Sequence, residues 1–309
     1  MTTRAQPLKG ARTASIAEMP GLLLRSMRPR QWTKNGVVLI GLVFARELGT
    51  PVQVARALVA LVVFCIVSGA VYIANDLIDL EKDRVHPTKR ARPLASGRLP
   101  VEVGVVAAVC LVTIGLIAAF ALSTEFFAIV VTYLALQAAY VGLLKHLVIL
   151  DVMALAAGFV LRAVAGAVAV NVPISPWLYV CTMLLALFLA LGKRRQELVL
   201  LSGDAAGHRP ALEHYSVGLL DQFVQVVTTS LVFAYMLYTF SAENLPKSHA
   251  MMLTIPFVLY GLFRYLYLVH ERGEGGSPEE VLLRDRATTI CVVLWGLAAV
   301  LILYLSPPG

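Results

Sequence analysis

Charged side chains are scarce in this chain of 309 residues, at 15% against roughly a quarter in an ordinary soluble protein. With 59% hydrophobic residues and a mean hydropathy of +0.78, that shortage excludes a soluble globular fold. Cysteine is also rare. Cys65, Cys110, Cys181 and Cys291 each lie inside an apolar stretch without a partner at metal-ligand spacing, which excludes a zinc site and a disulfide framework. His86, His146, His208 and His214 likewise show no ligand spacing and read as loop residues. No polar stretch long enough for a soluble domain interrupts the apolar runs between Val37 and Leu305, so a tethered globular enzyme is excluded. The first 34 residues lack an apolar core followed by a small-residue cleavage site and do not read as a signal peptide.

What the sequence does contain is a series of long apolar segments. Divided at Pro, Gly and charge clusters, they predict nine transmembrane helices over residues 36–48, 54–79, 100–120, 124–143, 147–170, 176–191, 218–240, 249–270 and 287–306. Most of the 26 basic residues then fall on one face. The arm before the first span carries Arg4, Lys9, Arg12, Arg25, Arg28, Arg30 and Lys34, and the loop after the second carries Lys82, Arg84, Lys89, Arg90, Arg92 and Arg98. Alternate loops add Lys145, then Lys193, Arg194, Arg195 and Arg209, then Arg272, Arg284 and Arg286. By the positive-inside rule this face is cytoplasmic. The net charge of +7 is thereby explained as topology, and no nucleic-acid partner is expected. Met19 to Met27 reads as an amphipathic piece on the membrane lipid surface, with Arg28, Arg30 and Lys34 near head groups.

The most informative segment follows the second span. Asp76, Asp79 and Asp83 stand at i, i+3 and i+7, so at about 100° per residue they share one helical face. Three carboxylates at the C-terminal end of a helix repel one another and meet the negative end of its dipole. A cation must neutralise them. Mg2+ takes hard oxygen ligands and is commonly shared between one or two carboxylates and a substrate phosphate, so the stripe points to a metal-diphosphate substrate. The alternative is a solvated helix end paired with Lys82, Arg84 and Lys89.

Asn75-Asp76-x-x-Asp79-x-x-x-Asp83-Arg84, followed by His86-Pro87, Lys89 and Arg92-Pro93-Leu94-Ala95-Ser96-Gly97, resembles the first aspartate-rich motif and following loop of the UbiA prenyltransferase superfamily. The resemblance extends from about Arg28 onward. It implies an all-α integral membrane bundle of nine transmembrane helices around a cytoplasm-facing cavity, with Mg2+ on Asp76, Asp79 and Asp83. It also implies a basic cytoplasmic arm over residues 1–35, a single membrane-embedded catalytic domain over 36–306 and a short tail over 307–309. The location implied is a bacterial plasma membrane, with the N-terminus and active site cytoplasmic. A homo-oligomer is compatible with it.

Most relatives of this kind carry a second aspartate-rich motif after the sixth span. Here that place reads Gly192-Lys193-Arg194-Arg195-Gln196-Glu197, with one carboxylate and three cations. Cations suit direct contact with additional phosphate oxygens. This departure, with Arg28-Pro29-Arg30-Gln31-Trp32-Thr33-Lys34-Asn35 and the run from Asp151 to Arg162, resembles the branch of the superfamily that moves phosphoribose onto a polyprenyl phosphate. The substrates implied are 5-phosphoribosyl diphosphate and decaprenyl (polyprenyl) phosphate, and the product is a lipid-linked phosphoribose for arabinose-containing cell-wall polymers. Asp76, Asp79, Asp83, Lys193 and Glu197 are then the catalytic candidates. Lys34, Asn35, Asn75, Arg84, Lys89, Asp151, Arg162, Lys193 and Arg194 are the substrate-binding candidates. The transition state implied is oxocarbenium-like, with inversion, and needs no general base because a phosphate monoester with a second pKa of about 6 is largely dianionic at neutral pH.

Arg162 lies eleven residues beyond Asp151, on nearly the same helical face and about 16 Å deeper. Buried at that depth, it either lines the polar cavity or takes a structural partner such as a Tyr or a freed carbonyl. Gly158 and Gly166 permit close helix packing, and Arg264 reads as snorkelling toward the cytoplasm. Two other functions compete. An aromatic or quinone prenyltransferase is disfavoured by the basic second motif. A secondary transporter is disfavoured because the main charge cluster lies at the cytoplasmic rim and not at mid-membrane.

Overall fold

The computed structural model describes residues 15–200, 212, 214–242, 245–273, 281 and 284–306. Arg4, Lys9, Arg12, His208, Arg209 and the tail 307–309 lie outside the described residues. All regular structure among the described residues is helical. In chain order the α-helices are α1 (Met19–Ser26), α2 (Ile40–Phe44), α3 (Pro51–Ile78), α4 (Leu80–Val85), α5 (Val101–Leu122) and α6 (Thr124–Gly142). They continue with α7 (Leu150–Ala169), α8 (Pro176–Leu200), α9 (Val217–Ser241), α10 (Ile255–His270) and α11 (Arg286–Leu305). Eight helices among the described residues are long and apolar enough to cross a membrane: α3, α5 to α9, α10 with the 3-10 turn before it, and α11. The protein is therefore a multi-pass membrane protein.

The stretch expected as a first transmembrane helix, residues 36–48, takes another form. A 3-10 helix, Pro29–Leu39, runs into the five-residue α2. At about 2.0 Å per residue a 3-10 helix gains more height than an α-helix at 1.5 Å. The apolar part of this stretch, Gly36 to Phe44, thus covers only about 16 Å, roughly half the thickness of a hydrocarbon core. Its end is a Schellman-type turn in which Arg46, at φ 63°, donates its N–H to Val43 O at 3.2 Å and Glu47 donates to Leu42 O at 3.1 Å.

The chain divides into two compact units. The first takes the described residues up to Thr33 together with Val62–Ala121. Its core is an apolar cluster of Leu22, Ile73, Leu94 and Leu99, with Met27 and Leu77 against it. Gly69 and Gly104 give this cluster room, because a Cβ at either would press on Met27 or Leu94 at under 3 Å. One long face of α5, including Val106, Val109, Ile117 and Phe120, is exposed, as a lipid-facing surface should be.

The second unit takes Lys34–Leu61 and the described residues from Leu122 onward. Its core joins α7, α8, α9 and α10 through Val152, Phe188, Leu191, Leu220 and Leu268. α7 is rich in Ala and Gly, and that composition lets α2 approach it backbone to backbone. Gly41 has no room for a Cβ, which would lie 2.9 Å from Ala167 N, and a Cβ on Gly166 would land on the Val38 carbonyl. α7 ends at Asn171, a residue that tolerates its left-handed φ of 54°. Arg56 caps the C-terminus of α7, donating from Nε to Ala169 O at 2.6 Å.

Asp285 caps α11, accepting from Thr288 N–H at 2.8 Å, and pairs with Arg264 at 2.7 Å. Arg264, expected to snorkel toward the cytoplasm, reaches Asp285 at the start of α11. The hydrogen bond from Arg264, with those from Thr288, holds the Asp285 carboxyl well below its ordinary value of 3.8.

Two predictions follow from this packing. Gly166→Ala should destabilise the detergent-solubilised protein by about 2–3 kcal/mol, whereas Gly158→Ala, whose new Cβ would meet nothing nearer than 3.6 Å, should cost under about 1 kcal/mol. Thermal unfolding of both variants compares them directly. A carboxyl whose folded pKa is depressed contributes stability above its unfolded pKa and loses it as pH falls toward the folded one. The stability difference between wild type and Asp285→Asn should therefore stay constant from pH 8 to about 5 and shrink below about 4.

Candidate functional site

The first unit places the aspartate motif at the end of α3. The helical hydrogen bonds run nearly unbroken through the motif, from Asp79 N–H to Asn75 O at 2.9 Å and from Asp83 N–H to Asp79 O at 2.9 Å. Asp79 occupies the junction between α3 and α4. Asp76 and Asp83 are buried, while Asn75 and Asp79 are partly exposed.

Both buried carboxylates meet arginine. Asp76 Oδ1 accepts from Arg28 Nη2, and also from Arg92 Nη1 at 3.1 Å. The same Arg92 Nη1 donates to Asp83 Oδ2. One guanidinium nitrogen therefore marks a point where two carboxylates converge on a cation. Local backbone explains how each arginine arrives there. Arg28 follows the last turn of α1 in the left-handed region, with φ 55°, and lies 4.9 Å above the Tyr72 ring. Arg92 precedes Pro93, which holds it extended at ψ 148°, and buried Leu94 and Leu99 pin the loop behind it. Arg84 pairs with Glu81 at 2.7 Å on the surface, and Lys89 is exposed.

The second unit holds a different network. Asp151, in the first turn of α7, accepts from Arg194 Nε at 2.7 Å and from the Tyr215 hydroxyl at 2.9 Å. Arg194 Nη1 donates to Glu197 at 2.5 Å and Nη2 reaches the Tyr140 hydroxyl at 3.5 Å. Arg194 and Asp151 are almost wholly buried, with side-chain exposures of 2% and 1%. The Tyr215 hydroxyl also accepts the N–H of Ile149 at 2.7 Å, and Ile149 has φ 69°, a rare conformation for a β-branched residue. Burial pushes the Tyr215 phenol up to about 12, so it remains a proton donor to Asp151 throughout the neutral range. Lys193 and Lys34 are partly exposed, and Arg195 pairs with Asp221 at 2.5 Å.

Arg162 donates to Asn35 Oδ1 at 2.9 Å, Gly158 O at 2.9 Å and the Tyr133 hydroxyl at 2.7 Å. The structure thus gives it the tyrosine and carbonyl partners of the structural alternative and joins it to Asn35. Asp151 takes Arg194 as its partner and not Arg162. Sequence reasoning did not select Arg28, Arg92, Tyr133 or Tyr215 as site residues. Arg28 and Arg92 stood inside the quoted motifs, and each precedes a proline, which was the available signal.

A model of the UbiA prenyltransferase family matches residues 36–279. The chain belongs to that family. This UbiA-family chain is 33% identical over 308 residues to the decaprenyl-phosphate phosphoribosyltransferase of Mycolicibacterium smegmatis, covering 96% of this chain and 95% of that protein. It is 34% identical over 287 residues to the decaprenyl-phosphate phosphoribosyltransferase of Mycobacterium tuberculosis, covering 92% and 94%. Its fold resembles that of a UbiA homolog from Archaeoglobus fulgidus bound to GPP and Mg2+, with a TM-score of 0.71 at 16% identity over 91% of this chain and 99% of that one.

Among the described residues no three carboxylate, histidine or cysteine side chains are gathered as a metal-binding group. The donor chemistry nevertheless fits Mg2+, which needs only one or two carboxylates when phosphate completes its shell. Asp76 and Asp83, already converging on the positively charged Arg92, supply two.

The Arg194–Asp151 pair allows a direct test. Arg194→Met should destabilise the protein by about 3–5 kcal/mol, because it strands the buried Asp151 carboxylate. Arg194→Met combined with Asp151→Leu should recover much of that loss, read as thermal midpoints in a double-mutant cycle.

Proposed function

We propose that this protein transfers 5-phosphoribose from 5-phosphoribosyl diphosphate to decaprenyl phosphate, releasing diphosphate and leaving a lipid-linked phosphoribose. The observation that carries this reading is identity of 33–34% over more than nine-tenths of the chain to relatives named for that activity. Lys193, in the segment where an aspartate-rich motif was expected by resemblance, supports it, while its neighbours Arg194 and Arg195 are engaged by Asp151, Glu197 and Asp221. A phosphoribosyl donor and a phosphate acceptor bring more phosphate groups than a prenyl diphosphate alone.

In this reading Asp76, Asp79 and Asp83 hold Mg2+, with Asn75 orienting a ligand. The metal, when bound, supplies positive charge that offsets the diphosphate leaving group. An oxygen of the acceptor phosphate forms the new bond to the anomeric carbon while the bond from that carbon to the diphosphate oxygen breaks and its electron pair leaves with diphosphate. Lys34, Lys89 and Lys193 bind phosphate oxygens as mobile point charges. Glu197, held by Arg194, accepts from a ribose hydroxyl. Arg194 itself acts as a positioning residue, since its nitrogens are engaged by Asp151, Glu197 and Tyr140. Arg162 fixes Asn35 and adds positive potential, because its described partners are all neutral. The catalytic portion spans residues 36–306 in a bacterial plasma membrane, and the concentration of basic residues in alternate loops supports a cytoplasmic active site and N-terminus.

The test incubates purified protein in detergent with Mg2+, labelled 5-phosphoribosyl diphosphate and a polyprenyl phosphate, and follows label into the organic phase. Transfer should require Mg2+ and fall at least about hundredfold in Asp76→Asn/Asp83→Asn. Turnover of a prenyl diphosphate with an aromatic acceptor, without phosphoribosyl transfer, would move the protein to the aromatic prenyltransferases.

A further inference from the structure

Among the described residues, Arg28 and Arg92 pair with the buried carboxylates of the motif, Asp76 and Asp83. Charge counting gives them a purpose. Asp76 and Asp83 carry two negative charges and the two guanidiniums carry two positive ones, so these four side chains are already balanced without a metal, and partly exposed Asp79 adds one further negative charge. A divalent cation arriving alone must either displace arginine or leave excess positive charge around the two buried carboxylates. A diphosphate arriving with the metal removes that conflict, since it supplies the negative charge that the displaced arginines need.

Space for such an exchange exists beside them. A cavity of about 230 Å³ is lined by Arg25, Arg28, Asp76, Thr88 and Arg92. That is smaller than the roughly 300–1,000 Å³ of a site for a drug-sized ligand, and it suits a diphosphate group better than a whole lipid. Arg28 and Arg92 are 31% and 28% exposed while the carboxylates are 3–4% exposed, so the guanidiniums form the boundary between buried acid and open cavity. Each therefore faces the carboxylates on one side and the cavity on the other. Planar guanidiniums are suited to bidentate contact with phosphate oxygens.

We propose that Arg28 and Arg92 hold the cation position of the aspartate motif until substrate arrives, then transfer from the carboxylates to the diphosphate as the metal replaces them. This exchange rests on the metal-diphosphate reading of the motif. It makes binding of metal and diphosphate mutually dependent, because each relieves the charge left by the other. The same arginine opposes the bare metal and favours the anion, a pair of opposite effects that a merely structural arginine would not produce.

The experiment measures binding to the full-length protein in detergent, using Mn2+ as a paramagnetic probe in place of Mg2+ and inorganic pyrophosphate as the anion. Arg92→Gln should bind Mn2+ alone about tenfold more tightly than wild type, and should bind pyrophosphate at saturating Mn2+ about tenfold more weakly, the scale of one charge-assisted hydrogen bond. Arg28→Gln should move both affinities in the same directions, so the exchange can be read even where one variant folds poorly. Arg90→Gln removes the same charge from an exposed position in the same loop and should change either affinity by less than about twofold. Unchanged or weakened Mn2+ binding in both Arg28→Gln and Arg92→Gln would overturn the exchange while leaving the metal site intact. Failure of wild-type protein to bind Mn2+ even with pyrophosphate would overturn the metal-diphosphate reading, and the exchange with it.

Discussion

Carboxylates buried in a chain made for lipid are tolerable when a cation meets them, and in this protein arginine does so. Asp76 and Asp83 meet Arg28 and Arg92, and Asp151 meets Arg194. These pairs are weak evidence for stability, since desolvating two charges costs about as much as their attraction returns. Their effect is on position. Arg194 ties the start of α7 to α8, and Arg92 ties the loop after α4 back to α3. Much of the surrounding backbone is explained by delivering these side chains: the left-handed turn at Arg28, the extended Arg92 before Pro93 and the rare φ at Ile149.

Small residues complement the charges. The Ala- and Gly-rich α7 receives α2 at backbone distance through Gly41 and Gly166, and the neighbouring 3-10 helix brings Asn35 to Arg162. An α-helix of the expected first span would have used the same residues to less height. The 3-10 form places Asn35 where it accepts a bond from Arg162, twelve residues beyond the start of α7. Packing and polar satisfaction therefore settle the geometry of this segment together, with hydropathy contributing less.

Much of the fold was legible beforehand because its signals are local. A run such as residues 101–122 has no alternative to a lipid-facing helix, and α5 forms over that range. Eight of the nine expected spans correspond to long apolar helices among the described residues. The exception, 36–48, is the segment whose shape depends on a neighbour's glycines. Of the three aspartates expected on one face, Asp76 and Asp83 converge on Arg92, while Asp79 stands at the junction of α3 and α4. The partner of Arg264, Asp285, was not legible because it lies in another element.

By itself, then, the sequence determined that the chain is a multi-pass helical membrane protein, where its eight long apolar helices lie, and that acid collects at the end of α3. Apolar length and helical periodicity act within a few turns and need no distant partner. The tertiary structure decided which cation answers each buried carboxylate. Arg28 and Asp76 are 48 residues apart and Arg194 and Asp151 are 43 apart, and the neutral partner of buried Arg162, Asn35, is 127 residues away. Where several basic residues lie near a buried carboxylate, as around Asp76 and Asp83, the choice among them is made by packing, because a buried ion pair is favourable only where the guanidinium arrives at hydrogen-bonding distance with its other donors satisfied.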